Sequence, residues 1–357
     1  MHDYLFINAF FEEEFHSSLS LLHYITKHPV SLQLHYLSLL LAQHQTALLA
    51  FPIDQSYAEI LKKQDIAPAP YKLLAEELPV HTHIHSWGSS LALQAWAKER
   101  SLLYTMPSWD LVRRIHAKDF VATHTTRLLG SSILSSHDAL DTWLEKQQGP
   151  CVLKTPLLAA GRGHLLLSKE TKRQQAHDLF TNHGLLIAEP WVDRILDFST
   201  QWELPAQGSP IYLGATICEN TKHGGYLGSV VGPESILFGS YLPFVTEHLI
   251  HAKALLTHIQ ALGFFGSIGF DAFIYRTLDG PCLQPIVELN ARKTMGWVAL
   301  QLHKQHPWSA APFLRIRYTA DPCTCPLLPR KIFMNSSFCH LPKTLSWESF
   351  AFNPQER

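Results

Sequence analysis

Apolar residues along this chain recur in short runs separated by segments of helical period. The runs at residues 4–8, 47–53 and 102–106 read as short strands, and between them lie amphipathic stretches such as 89–100. Ser56 followed by Glu59 has capping-box spacing for another helix. Strands alternating with helices predict a small α/β domain with a mostly parallel sheet over residues 1–107. The most apolar stretch, 36–51, is broken by Gln43, His44 and Gln45 and is too short to cross a bilayer, so it reads as a helix leading into a strand.

A second unit, 108–184, opens where Ser108 precedes a helix carrying Trp109, Leu111, Val112 and Ile115. Another helix is expected after the Ser135-x-x-Asp138 box. A strand at 151–154, a Gly-rich loop and a second strand at 164–167 follow. Gly184 stands where a helix C-cap belongs and closes the unit. In the third unit, 185–330, strands are expected at 185–189, 197–203 and 211–218, with a turn at Gly224-Gly225. A helix over 246–263 places Leu249, Ala252, Leu255, Leu256, Ile259 and Leu262 on one face. Strands at 266–275 and 282–289 form a hairpin around Asp279-Gly280. These two units read as α+β, and residues 331–357 as a C-terminal tail.

Composition narrows the class of function. With 46% hydrophobic and 17% charged residues, the chain is an ordinary globular one. Lys plus Arg number 29 against 30 Asp plus Glu, with no long run of either sign, which argues against nucleic acid as a partner. No segment has the length of a membrane span, and the acidic start lacks the marks of a secretory signal, so no membrane partner is expected. The six scattered cysteines do not make a disulfide framework, and a cytoplasmic location is expected. Cys323, Cys325, Cys339 and His340 are zinc-ligand types, but Cys-x-Cys lacks the usual gap. His81, His83 and His85 alternate as three imidazoles on one strand face would, or as a solvated strand edge.

Three local patterns carry chemistry. The first is Gly269-Phe-Asp271 followed by Glu288-Leu-Asn290-Ala-Arg292. Neighbouring strands bring Asp271 near Glu288, and alternation puts Glu288, Asn290 and Arg292 on one face. Two carboxylates and an amide oxygen suit Mg²⁺, with Arg292 left to neutralise phosphate; the rival reading is a surface ion pair between Glu288 and Arg292. The second is Lys154, leaving a strand before a small-residue loop that includes Ala160, Gly161, Arg162 and Gly163. A lysine and loop N–H groups so placed can close over phosphates, although the spacing is not Walker A. The third is an apolar strand ending in Glu189-Pro190, where the proline interrupts the ladder and frees the backbone of Trp191 and Val192, with Asp197 in reach of a ribose.

The order of these patterns resembles the ATP-grasp superfamily over residues 107–310. The resemblance implies an ATP-grasp fold, two α+β subdomains enclosing ATP, preceded by a small α/β domain. It implies that Lys154 contacts the α- and β-phosphates, that residues 160–163 form the covering loop, and that Lys118 is the earlier nucleotide-binding lysine. Glu189 corresponds to the acid near the adenine amino group, the Val192 backbone to the ring-edge reader, and Asp197 to the ribose acid. Asp271, Glu288 and Asn290 correspond to the ligands of Mg²⁺ (or Mn²⁺), and Arg292 to the catalytic arginine at the γ-phosphate or acyl phosphate.

Gly269 stands where many carboxylate-amine ligases of the family carry an arginine. The implied activity is ATP-dependent ligation of a small-molecule carboxylate to an amine through an acyl phosphate, with a homodimer left open. An ATP-grasp kinase, or a nucleotide-binding protein without catalysis, is the alternative.

Overall fold

The computed structural model describes residues 3–157, 163–167, 173–222, 224–305, 312–321, 325–334 and 337–350. Its first sheet takes β1 (Asp3–Phe6), β2 (Thr46–Leu49), β3 (Tyr71–Leu73) and β4 (His83–Ser86) in the order β3-β2-β1-β4, every pair parallel. The crossovers are α1 (Leu21–Lys27), α2 (Pro29–Leu34), α3 (Leu37–Leu41) and α4 (Gln55–Lys63), and α5 (Leu91–Glu99) follows β4. Tyr4, Leu5, Phe6, Ala47, Leu48 and Leu49 are buried, as a parallel sheet covered on both faces requires.

Two expectations fail here, the strand at 102–106 and the cap at Ser56. Residues 102–106 make no strand; Leu103 forms one isolated bridge to His83, and β4 takes the edge position instead. Strand β4 buries Ile84 between His83 and His85, while His81 sits in a turn with φ of 59°, so the three imidazoles do not share a face. The cap of α4 is Asp54, which accepts from Ser56 N–H, rather than Ser56 itself.

Next come α6 (Trp109–His116), α7 (Lys118–His124), β5 (Ser132–Leu134), α8 (His137–Lys146), β6 (Cys151–Lys154), β7 (His164–Leu167), α9 (Arg173–His183) and β8 (Leu186–Pro190). The four strands form an antiparallel sheet in the order β5-β8-β6-β7 over a core of Leu134, Leu140, Leu153, Phe180 and Leu186. Ser108 holds the N-cap position of α6 without a side-chain bond, and Ser136, one residue later than expected, caps α8. Gly184 adopts a φ of 69° and donates to Phe180 O, closing α9.

The largest sheet is built from β9 (Arg194–Leu204), β10 (Ile211–Asn220) and β11 (Tyr226–Val231), then, after α10 (Glu234–Phe238) and α11 (Leu242–Ala261), from β12 (Gly266–Thr277) and β13 (Gly280–Asn290). Helix α12 (Met295–Gln305) precedes β14 (Phe313–Thr319), β15 (Cys325–Pro326), the hairpin β16 (Lys331–Met334) and β17 (Ser337–His340), and β18 (Thr344–Phe350). The order is β13-β12-β9-β10-β11-β14-β18-β15. Helix α11 starts at Leu242 with Pro243 in its first turn, four residues before the expected start, and leaves Leu262 exposed beyond its end.

Residues 331–350 are therefore no tail. Strand β18 pairs with β14 along seven residues, and the preceding segment is bonded to the first unit. Gln33 donates to the carbonyls of Pro329 and Lys343, Tyr57 to that of Leu327, and Trp347 Nε1 to Gln64. Cys323 lies outside the described residues, and among those described no cluster of three His, Cys, Asp or Glu suits a metal. Also among them, no helix is long and apolar enough to cross a membrane.

Ending the chain after Arg330 removes β18 and uncovers Ile316 and Leu327, both fully buried. A newly bared strand edge and lost apolar burial predict a sharp drop in soluble yield and a melting temperature lower by more than about 5 °C, measured by thermal denaturation. A truncated chain as stable as the full one would return these residues to the status of a tail.

Candidate functional site

Strands β12 and β13 are antiparallel, with Asp271 directly opposite Glu288 and Gly269 opposite Asn290. The long interval between the two acids is taken up by long strands, with a bulge between Asp271 and Phe273, and Pro281 and Pro285 lie within β13. On the other side of β12, Asp271 faces Ser199 of β9. Asn290 Nδ2 donates to Asp271 Oδ2 at 3.1 Å, and Ser199 adds a hydrogen bond. Desolvation, reinforced by the neighbouring Glu288 charge, nevertheless pushes the half-buried Asp271 carboxyl up to about 6. Desolvation pushes Glu288 upward too, but Lys118, 3.0 Å away, outweighs it and holds that carboxyl below its usual range.

The surface ion pair between Glu288 and Arg292, the rival reading of this pattern, does not form: Glu288 pairs with Lys118 and Arg292 with Glu12. Strand β13 ends at Asn290, so alternation stops there, and Arg292 N–H turns back to Asn290 O at 2.7 Å. Its guanidinium is held by Glu12 at 2.7 Å. Burial opposes ionisation of Glu12, but Arg292 and His116 together keep its carboxyl far below the usual range. Ala291 N–H donates to His116 Nδ1 at 3.3 Å, which leaves Nε2, 3.4 Å from Glu12, to carry the proton toward that acid. Gly88 makes a bridge to Arg292, and a Cβ there would lie 3.0 Å from Phe11 and 3.1 Å from Arg292 Cβ, so any larger residue would have to push these neighbours aside by a few tenths of an ångström.

Lys154 ends β6, as expected; it is buried, and its ammonium meets Glu189 of β8 at 2.5 Å. Pro190 stays in its ladder opposite Cys151, and Trp191 N–H is not freed: it donates to Pro150 O at 2.9 Å. Val192 follows, half-buried, between strands. Asp197 is paired with Arg194 at 2.9 Å, whose guanidinium lies 4.2 Å from the Phe273 ring and 5.0 Å from that of Trp191. Gly163 has a φ of 73° and its carbonyl accepts from Thr155 N–H, while Ala160, Gly161 and Arg162 lie outside the described residues.

These groups surround one cleft of about 230 Å³, lined by Lys154, His164, Arg194, Asp197, Asp271, Glu288, Asn290 and Arg292 among others. Lys118 and Glu189 join through their ion pairs. Pattern alone did not reveal Glu12, His116, His164, Arg194 or the chain of Ser199, Gln201 and Thr294. Burial, helped by the nearby Lys154 charge, brings His164 down to about 4, so its ring is neutral at pH 7, and its Nε2 has no hydrogen-bond partner among the described residues.

The row Asp197, Ser199, Gln201, Glu203 alternates along β9 and was the available signal for part of this set. Thr294 donates to Gln201 Oε1 at 2.8 Å, and Gln201 Nε2 to Ser199 Oγ at 2.8 Å, a relay that ends on Asp271. It also explains Gly269. A Cβ there would stand 2.5 Å from Thr294 Cγ2 and 3.0 Å from Gln201 Oε1, leaving no room for an arginine. Burial pushes the thiols of Cys151 and Cys218 up, so neither is a thiolate nucleophile.

Solved structures share this architecture. Biotin carboxylase from Campylobacter jejuni, solved as a βγ-ATP complex, aligns with a TM-score of 0.55 and 12% identity over 98% of this chain and 88% of that one. Phosphoribosylamine–glycine ligase from Thermotoga maritima aligns with a TM-score of 0.55 and 12% identity over 98% and 93%. The biotin carboxylase domain dimer of Hydrogenobacter thermophilus 2-oxoglutarate carboxylase, in complex with MgADP, ADP and bicarbonate, reaches 0.50 at 13% identity over 77% and 69%. No protein-family model matches the sequence, and no curated protein does. The chain has the ATP-grasp fold.

The Asp271 carboxyl supplies a pH test. Its folded value, about 6, lies above the ordinary aspartate value of 3.8, so the folded protein binds the extra proton and loses stability as pH rises through that window. Asp271→Asn removes this penalty. The variant without ligand should be more stable than the parent at pH 7.5 by up to about 3 kcal/mol, with the gain shrinking as pH falls from 6 to 4. Denaturant titration at both ends of the range checks it, and a gain that does not change with pH would contradict it.

Proposed function

We propose that this ATP-grasp chain binds Mg·ATP in the cleft between β6, β8 and β9–β13 and uses it to activate a small-molecule carboxylate for attack by an amine. The observation that carries this reading is the registered pair Asp271 and Glu288, joined by the Asn290 amide and flanked by the ammonium groups of Lys118 and Lys154.

The donor set fits the metal. Two facing carboxylates, one of them driven toward its protonated form, are stabilised by a divalent cation, and hard oxygen donors are what Mg²⁺ takes. No third acidic ligand completes a protein cage among the described residues, which suits an ion whose remaining positions go to water and phosphate. His164 Nε2, buried in the same cleft and unpartnered among the described residues, is a hydrogen-bonding position for a ligand. When bound, Mg·ATP supplies the phosphoryl group, with the metal neutralising charge on its oxygens.

The chain's own groups then have distinct tasks. Asp271, Glu288 and Asn290 hold the cation, while Lys154 and Lys118 present positive charge to the phosphates. Arg292, immobilised by Glu12, keeps a fixed guanidinium at the end of β13 where an anionic reacting group would be oriented. At the other end, Glu189, the Val192 backbone and Asp197 serve the base and ribose, and Gly163 closes the turn behind Lys154. The relatives named for biotin carboxylation and for phosphoribosylamine–glycine ligation support a carboxylate-activating chemistry on this fold.

Mg·ATP at about 100 times its dissociation constant should stabilise the folded chain by about 2.7 kcal/mol, read as a rise in melting temperature. Glu288→Gln should raise the Mg²⁺ needed for half of that effect by about tenfold or more, and should abolish turnover. A variant with the parent's metal requirement would take Glu288 out of the site.

ADP release is the second assay. It should require a carboxylate and an amine together; release that depends on a hydroxyl compound alone would replace ligation by a kinase reaction.

A further inference from the structure

A second cavity, of about 220 Å³, lies beyond the N-terminal end of β12 and the C-terminal end of β13. One wall comes from residues 84–89 and 104–107 of the first unit, the other from Glu203, residues 264–267 and residues 291–293. In the first sheet the strand order turns between β1 and β4, and an open α/β sheet binds ligands outside the carboxyl ends of the strands at that switch point. The cavity stands there. Asn8, just past β1, makes the rim rigid, its Oδ1 accepting from Trp87 N–H and Gly88 N–H at 2.9 and 3.1 Å.

Two opposite charges line this cavity without touching. Lys293 gives one N–H to Ser86 O at 2.8 Å and has the Trp297 ring 5.2 Å away. Glu203 accepts from Ser267 Oγ at 2.6 Å through Oε2. No ion pair joins Lys293 to Glu203, although both belong to the described residues. Burial pulls the Lys293 ammonium below its ordinary value, opposed by Glu203, so an anion in the cavity relieves a standing cost. Arg292 lines this cavity and the nucleotide cleft alike, which joins the two.

We infer that this cavity binds a free amino acid as a zwitterion, its carboxylate on Lys293 and its ammonium on Glu203, and that this amino acid is a substrate of the ligation. Its role as substrate rests on the Mg·ATP reading, whereas its binding does not. The polar row of β9 that begins with Asp197 in the cleft ends at Glu203, so one strand serves both sites.

Thermal shift and calorimetry on the full chain test this, with the proteinogenic amino acids as probes at millimolar concentration, with and without Mg·ADP. At least one amino acid should raise the melting temperature, while its methyl ester and its N-acetyl derivative, each lacking one charge, should not. Lys293→Met and Glu203→Gln should each weaken its binding about tenfold or more, a loss of about 1.4 kcal/mol or greater. If either variant fails to fold, the ester and N-acetyl comparisons on the parent still decide.

Binding of an amino acid without any response to Mg·ATP keeps the binding site but sinks the nucleotide reading, and with it the role as substrate. Response to Mg·ATP with no amino acid bound in either condition overturns this assignment, as does amino acid binding that survives both substitutions.

Discussion

Two carboxylates held side by side repel, and much of the structure around β12 and β13 serves to keep Asp271 and Glu288 together. Antiparallel register sets them opposite each other, and a bulge lets the two long strands keep that register. Lys118, at the start of α7, steadies one acid. Asn290 and the relay from Thr294 through Gln201 and Ser199 steady the other. What remains uncompensated is the raised carboxyl of Asp271, the feature on which the proposed cation site draws.

Anchoring of the same region runs through the first unit. Glu12 and His116 fix Arg292 and Ala291, Gly88 allows the close approach, and Lys293 reaches back to Ser86. The C-terminal strands complete the arrangement by bonding to α2 and α4. The guanidinium at the end of β13 is therefore positioned by residues nearly the whole chain away.

This division also explains why the local pattern around Arg292 does not give its partner. Alternation holds only while a strand continues, and β13 stops two residues short of Arg292. A partner at position 12 has no local signature. Likewise Lys154, at a strand end before small residues, has the pattern of a solvated lysine, yet β8 folds beside β6 and supplies Glu189 to bury it. The missing arginine at Gly269 has its cause in Thr294 and Gln201, which occupy the space from the connection before α12 and from β9.

Local patterns determined the elements whose reasons are local. The apolar strands of the first sheet, the hairpin at Asp279-Gly280, the C-cap at Gly184 and the pairing of Asp271 with Glu288 follow from backbone periodicity, turn chemistry and two acids on adjacent strands. The order of lysine strand, Glu-Pro strand and acidic strand pair was enough to mark the ATP-grasp fold. Tertiary structure decided which histidine, glutamate or lysine meets each of these groups, and that residues 331–350 complete a sheet. It also decided that β4 rather than 102–106 closes the first sheet. Those outcomes depend on contacts between segments far apart in the chain, where burial and charge pairing, absent from any single stretch of sequence, set the geometry.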